Sequence, residues 1–256
     1  MFVCRKQDQH GRALVRGIAA AALSLVLGGT AAAASAPHPM PLGEQAAPPD
    51  GFLDFCRRQP GDCGIDPAEA RALLRSSQSG SAQSGSAWAW RFAASRQAPG
   101  SVYTPQRANL SEDDEVEAPR IENPAMTPEL WAVAQRVNQY VNRTIIRRSD
   151  WSAYGVNDRW ATPLADGRRY GDCEDYALEK RRLLIQAGVP AQALDIALAT
   201  TRWGDSHAVL LLSAGGGEYV LDNLDAWILP WDQAPYRWRA RQVGGDPFHW
   251  VRAATN

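Results

Sequence analysis

The stretch Tyr170–Pro190, YGDCEDYALEKRRLLIQAGVP, decides the fold. It sets a cysteine, Cys173, among Asp172, Glu174 and Asp175. Neighbouring anions hold a thiol protonated and dull it, so the placement needs a reason. After Gly171-Asp172 a helix is expected to run to Ala187, with Gly188 as its stop and Pro190 beyond. Its apolar stripe is Cys173, Tyr176, Ala177, Leu183, Leu184 and Ala187. Cys173 therefore sits in the first turn, on the buried face, where unpaired N–H groups and the helix dipole favour a thiolate. Acids at the same end cap helices. Asp172 reads as such a cap, with Glu174 and Asp175 turned away from the sulfur; alternatively two of these acids hold a cation.

A thiol nucleophile needs a base. Of the four histidines, His10, His38 and His249 lie near the chain ends. His207 opens HAVLLLSA, a strand by its branched and apolar content. A turn region follows, and EYVLDN returns with Asp222 near its end. A hairpin pairing Ser213 with Gly216 sets His207 opposite Asp222 on one sheet face. That is the arrangement in which a carboxylate orients an imidazole that activates a thiol. A slip of one residue moves Asp222 to the other face. The Cys173 backbone N–H is a candidate oxyanion donor. Trp160 is considered as a second donor or groove wall, against its ordinary role in core packing.

Upstream, Arg5, Lys6, Arg12 and Arg16 precede the uncharged run Gly17–Ala36, which ends in small residues. This describes a secretory signal peptide over residues 1–34, cleaved after Ala32-Ala33-Ala34. Its alanine-rich core, interrupted by Gly28-Gly29, is a poor membrane span, and nothing else is apolar enough for one. The expected location is the periplasm or outside the cell. Removal leaves 23 basic residues against 27 acidic ones, a mildly acidic protein with no electrostatic reason to bind nucleic acid. Ten tryptophans are read as core and groove residues rather than a sugar platform.

Export also governs the cysteines. Cys4 leaves with the signal. Cys56 and Cys63 flank Pro60-Gly61, a turn that can bring their sulfurs together in an oxidising compartment; two free buried thiols are the alternative. Cys173 is then unpaired and a candidate reactive thiol.

Residues 35–75 form an N-terminal segment, Pro/Ala-rich and extended or loose to residue 50, with a short helix PAEARALLR opened by Asp66-Pro67. Residues 76–124 read as a low-complexity, partly disordered insertion, with a Ser/Gly/Gln tract and the acidic run Glu112–Glu117. The main domain occupies 125–256. Thr127-Pro128-Glu129 starts its first helix, whose stripe is Leu130, Val133, Ala134, Val137, Tyr140, Val141 and Ile145.

YGDCEDYALEKRRLLIQAGVP, SHAVLLL and YVLDNLDAWILPW together resemble the bacterial transglutaminase-like cysteine proteinase family. VNQYVNRTI, SDWSAYGVNDRWATP and FCRRQPGDC match the family's style. Its best-known members are periplasmic proteases that release a biofilm adhesin from the cell surface. The resemblance covers about residues 125–250, and 50–65 more weakly. It implies an α+β fold with a papain-like, transglutaminase-like core, in which the catalytic helix packs on an antiparallel β-sheet. It further implies Cys173 as nucleophile, His207 as general base and acid, and Asp222 as the orienting carboxylate. Adhesin-cleaving members require calcium, held by acids beside the cysteine; Asp172 and Glu174 stand there. The expected function is an exported cysteine endopeptidase acting on a protein or peptide, without an organic cofactor. A transglutaminase or amidase using the same triad, and a silent binding protein of the same fold, are the alternatives.

Overall fold

The computed structural model describes residues 36–65 and 123–254. The expected signal peptide, the PAEARALLR helix and nearly all of the 76–124 insertion lie outside the described residues.

Seven strands form one antiparallel sheet: β1 (Leu42–Ala46), β4 (Leu194–Thr201), β5 (Ser206–Ala214), β6 (Gly217–Leu221), β7 (Leu229–Pro230), β8 (Tyr236–Val243) and β9 (Asp246–Ala253), in spatial order β1-β9-β8-β4-β5-β6-β7. Helices are α1 (Asp50–Arg58), α2 (Pro60–Cys63), α3 (Pro128–Thr144), α4 (Asp150–Tyr154) and α5 (Cys173–Gln186). Two short strands, β2 (Ile146–Arg147) and β3 (Tyr170–Gly171), pair in parallel just before α5. The architecture is α+β, with the cysteine helix against the antiparallel sheet.

The central strands are covered on both faces, which is why they read as unbroken apolar runs. Alternate side chains separate into two clusters. Ile196, Leu198, Ala208, Leu210 and Leu212 join Cys173, Ala177 and Leu184 of α5. Ala197, Ala199, Val209, Leu211 and Val220 face the other way, onto Met40, Trp231 and Trp238. Gly215 and Gly216, both at positive φ, make the two-residue turn from β5 to β6 without the penalty a side chain would meet there.

Helix α3 begins as its residues dictate: Thr127 Oγ1 accepts from Leu130 N at 3.2 Å, with Pro128 at the first position. Its inward face differs from the expected stripe. Tyr140 is exposed, while the polar Asn138 is buried, because the helix packs on α5 and on the segment after β6, where an amide finds backbone partners.

Residues 36–65 are part of the same core rather than a loose leader. β1 pairs with β9. Phe52 packs edge-on against both Trp160 and Trp250, with centroids 5.4 Å apart in each case. Cys56 and Cys63 form a disulfide that joins α1 to α2. Arg181 of α5 donates to Asp62 O at 3.0 Å and ties this hairpin to the cysteine helix.

Candidate active site

Cys173 occupies the first position of α5 and is buried. Gly171 is required just before it: a Cβ there would come within 2.3 Å of Asp175 Oδ2. Helix α5 packs on β5, and Ala208 N donates to the Cys173 sulfur at 3.2 Å. The residue before Ala208 is His207, whose Nε2 lies 2.8 Å from Asp222 Oδ1. The sulfur thus lies against the residue next to His207, where the helix start crosses the sheet.

The route by which Asp222 arrives differs from expectation. Ser213 pairs with Glu218 and Ala214 with Gly217, a register two residues away from the expected one. Because side chains alternate with period two, a shift of two preserves the face. Asp222 lies just past the end of β6 and approaches His207 diagonally instead of directly across the ladder. It is held there by Leu224 N, which donates to Oδ1 at 3.0 Å, and by Asn142 of α3, which donates to its backbone carbonyl at 2.8 Å. Burial works against the Asp222 charge, but His207, Leu224 N and Tyr236 outweigh it and hold the carboxyl down at about 2.

Tyr236 is a site residue to which no sequence spacing points. Its hydroxyl donates to Asp222 Oδ2, and its ring lies 5.2 Å from the His207 ring. It comes from β8, which no local spacing connects to the 207–222 hairpin. Tyr236 and Asp222 also line a cleft of about 240 Å³, walled by Leu224, Leu229 and the exposed Trp203 and Trp227. Trp160 packs in the core, fully buried, and its Nε1 donates to Asp158 Oδ1 at 2.9 Å. It is not an oxyanion donor.

Two expectations about the opening stretch are corrected. Cys173 is disulfide-bonded here rather than unpaired. The acids neither cap the helix nor turn to solvent. Asp172 makes no side-chain capping bond, and its Oδ2 accepts from Asp150 N at 3.3 Å. Glu174 and Asp175 are buried, and Glu174 Oε2 is 3.4 Å from the Cys173 sulfur. The helix is enclosed nearly all round, so charged positions on it have no solvent face to turn to.

These acids cluster with others from upstream. Asp150, Asp158 and Glu174 converge within metal-ligand range, as do Asp150, Asp172 and Asp175. Asp150 Oδ1, Asp172 Oδ1 and Asp175 Oδ2 are buried with no hydrogen-bond partner among the described residues. Burial, and then mutual repulsion, raises Asp150 to about 7 and lifts Glu174 and Asp175 well above the usual carboxylate range; burial also raises Asp172. A donor set made only of carboxylate oxygens, several of them orphaned, fits a hard cation such as calcium. Asp172 and Glu174 are the two acids expected to hold a cation; Asp150, Asp158 and Asp175 join this cluster only through the fold.

The family described as bacterial transglutaminase-like cysteine proteinase, BTLCP, matches residues 104–256. Similar solved structures include Legionella pneumophila LapG, 26% identical over 46% of this chain and 66% of that one, with a TM-score of 0.38. Its calcium-bound form is 24% identical over 52% of this chain and 73% of that one, with a TM-score of 0.42. Its EGTA-treated form is 25% identical over 46% and 64%, with a TM-score of 0.37. The chain spans about two thirds of the length of these structures. No curated protein matches it.

Proposed function

The chain belongs to the bacterial transglutaminase-like cysteine proteinase family, and from that premise we propose that it is an exported cysteine endopeptidase that cleaves a protein substrate through Cys173, His207 and Asp222. The observation that carries the reading is the convergence of a helix-start sulfur, held against β5 at Ala208 N, with the adjacent His207–Asp222 pair at 2.8 Å. The signal-like residues 1–34 support export.

The chemistry concerns the reduced thiol. Asp222 engages Nε2 of His207, which leaves Nδ1 to take the Cys173 proton. The thiolate attacks the substrate carbonyl carbon; a C–S bond forms and the carbonyl π pair moves onto oxygen. The Cys173 N–H, at the unpaired helix start, faces the oxyanion. Collapse breaks the C–N bond, and the imidazolium returns its proton to the leaving amine. Water, deprotonated by His207, then releases the acyl group and restores the thiol. The substrate chain is seated in the cleft walled by Trp203 and Trp227. Asp150, Asp158, Asp172, Glu174 and Asp175 would hold calcium, which supplies a fixed charge that keeps these acids ionised beside the cysteine.

The test compares the purified chain with Cys173→Ala on the exported proteins of the source cell, with and without a calcium chelator. New fragments that require Cys173 and disappear on chelation are expected. Amine incorporation or ammonia release without fragments would replace hydrolysis with transfer. A Cys173 that resists iodoacetamide after reduction would overturn the triad.

A further inference from the structure

Lys180 lies two turns after Cys173 on α5 and is completely buried. Its Nζ has no hydrogen-bond partner among the described residues. A buried ammonium is expensive unless something compensates it. Three amide oxygens share its condition: Asn138 Oδ1 and Asn142 Oδ1 on α3, and Asn223 Oδ1 just past β6, are buried and unpartnered. Asn142 and Asn138 spend their amide N–H groups on Asp222 O and Ala226 O, at 2.8 and 3.5 Å. The three amide oxygens thus lie on α3 and on the segment that carries Asp222. The mechanism uses none of them, yet they back the segment that delivers the orienting carboxylate.

We propose that Lys180 is a positioning residue for the site: its buried charge draws the Asp222 carboxylate and the 222–226 segment onto α3 and α5, fixing the place from which Asp222 orients His207. The inference rests on the triad reading above. Asp222 is the charge whose field reaches Lys180 and supports its protonated form. Burial is the larger influence and brings the ammonium down to about 7. Titratable groups on the surrounding elements include His207 on β5, Tyr170 on β3, Arg147 on β2, Asp195 on β4, which is paired with Arg241, Glu218 and Tyr219 on β6, and Tyr236 on β8. The inward residues of α3, Ala134, Asn138 and Val141, carry no charge.

The test is a double-mutant cycle on the full chain: Lys180→Met, Asp222→Asn and the pair, followed by urea unfolding at pH 6 and pH 9.5. At pH 6, with the lysine charged, the two substitutions should couple by about tenfold in the unfolding constant, about 1.4 kcal/mol. At pH 9.5, with the lysine neutral, the coupling should vanish. A lysine that merely fills space gives additive effects at both pH values, which would overturn the proposal; coupling unchanged at pH 9.5 would do the same. Lys180→Gln is the second variant should Lys180→Met not fold, with the same expectation. On Cys173-dependent fragments, Lys180→Met should slow turnover about tenfold while half-saturation moves less than twofold. Absence of fragments in the parent chain would count against the protease reading, while the stability cycle still decides the role of Lys180.

Discussion

Tyr236 touches both halves of the His207–Asp222 pair, through its hydroxyl on Asp222 Oδ2 and its ring beside His207. Removing the hydroxyl keeps the ring and the packing. Asp222 then loses one of the donors that offset its burial. A hydrogen bond to a charged group contributes about 1.5–3 kcal/mol. Tyr236→Phe should therefore lower kcat about tenfold and leave KM near its original value, since the bond orients the base rather than the substrate. Fragment release over a substrate series checks this, and an unchanged kcat would remove Tyr236 from the site. Trp227, exposed on the cleft wall, should behave in the opposite way: Trp227→Ala should raise KM severalfold with kcat little affected. The two variants separate orientation from binding at neighbouring positions. Cys173, His207 and Asp222 were legible because each announces itself locally, by a helix start, a strand and a returning strand. Tyr236 and Trp227 were not, because their meaning depends on which strands end up adjacent.

Helix α5 draws its geometry from acids that lie on three elements. Asp150 opens α4, Asp158 follows it, and Asp172, Glu174 and Asp175 surround the start of α5. Their raised folded-state values mean that the cation-free fold binds more protons than the unfolded chain between about pH 4 and 7. The contribution of these groups to stability is then greatest below their unfolded values and is lost as pH rises through their folded ones. A bound calcium would reverse the balance by keeping the carboxylates charged. The metal-free protein should lose Tm between pH 5 and pH 8, while calcium should raise Tm by about 5–10 °C at pH 8, consistent with saturation near a hundred times Kd. The gain should be much smaller at pH 5. Calorimetry in EGTA and in calcium reads both slopes; equal Tm values at pH 8 would rule out a cation at this cluster. Of the two roles expected for Asp172 and its neighbours, cation binding agrees with this cluster and helix capping does not, because α5 is enclosed by β5, α3 and the β2–β3 pair, which leaves no exposed first turn for a solvated carboxylate.

At the scale of the whole molecule, the antiparallel sheet and the cysteine helix followed from apolar runs and a capping pattern. The integration of residues 36–65 did not, because a proline- and alanine-rich segment carries no period of its own. Its order comes from partners distant in sequence. β1 adds to the exposed edge of β9. Met40 N donates to Glu218 Oε2 at 2.7 Å, and Glu218 is paired with Arg241, itself bound to Asp195. Trp231 Nε1 donates to His38 O at 2.9 Å, and Met40 is almost fully buried between these contacts. The segment therefore closes one sheet face and shields an edge that would otherwise offer unpaired backbone groups to another chain. Deleting residues 1–47 should remove all three contacts while leaving Cys173, His207 and Asp222 in place. The expected loss is at least about 5 °C in Tm, from lost apolar burial and from a buried Glu218 deprived of a donor. Concentration-dependent association through the bared β9 edge should accompany it. Deleting only residues 1–34 should cause neither effect. Scanning calorimetry with light scattering on the two truncations makes the comparison, and a 1–47 deletion as stable and monomeric as the 1–34 deletion would show that the segment merely rests on the sheet.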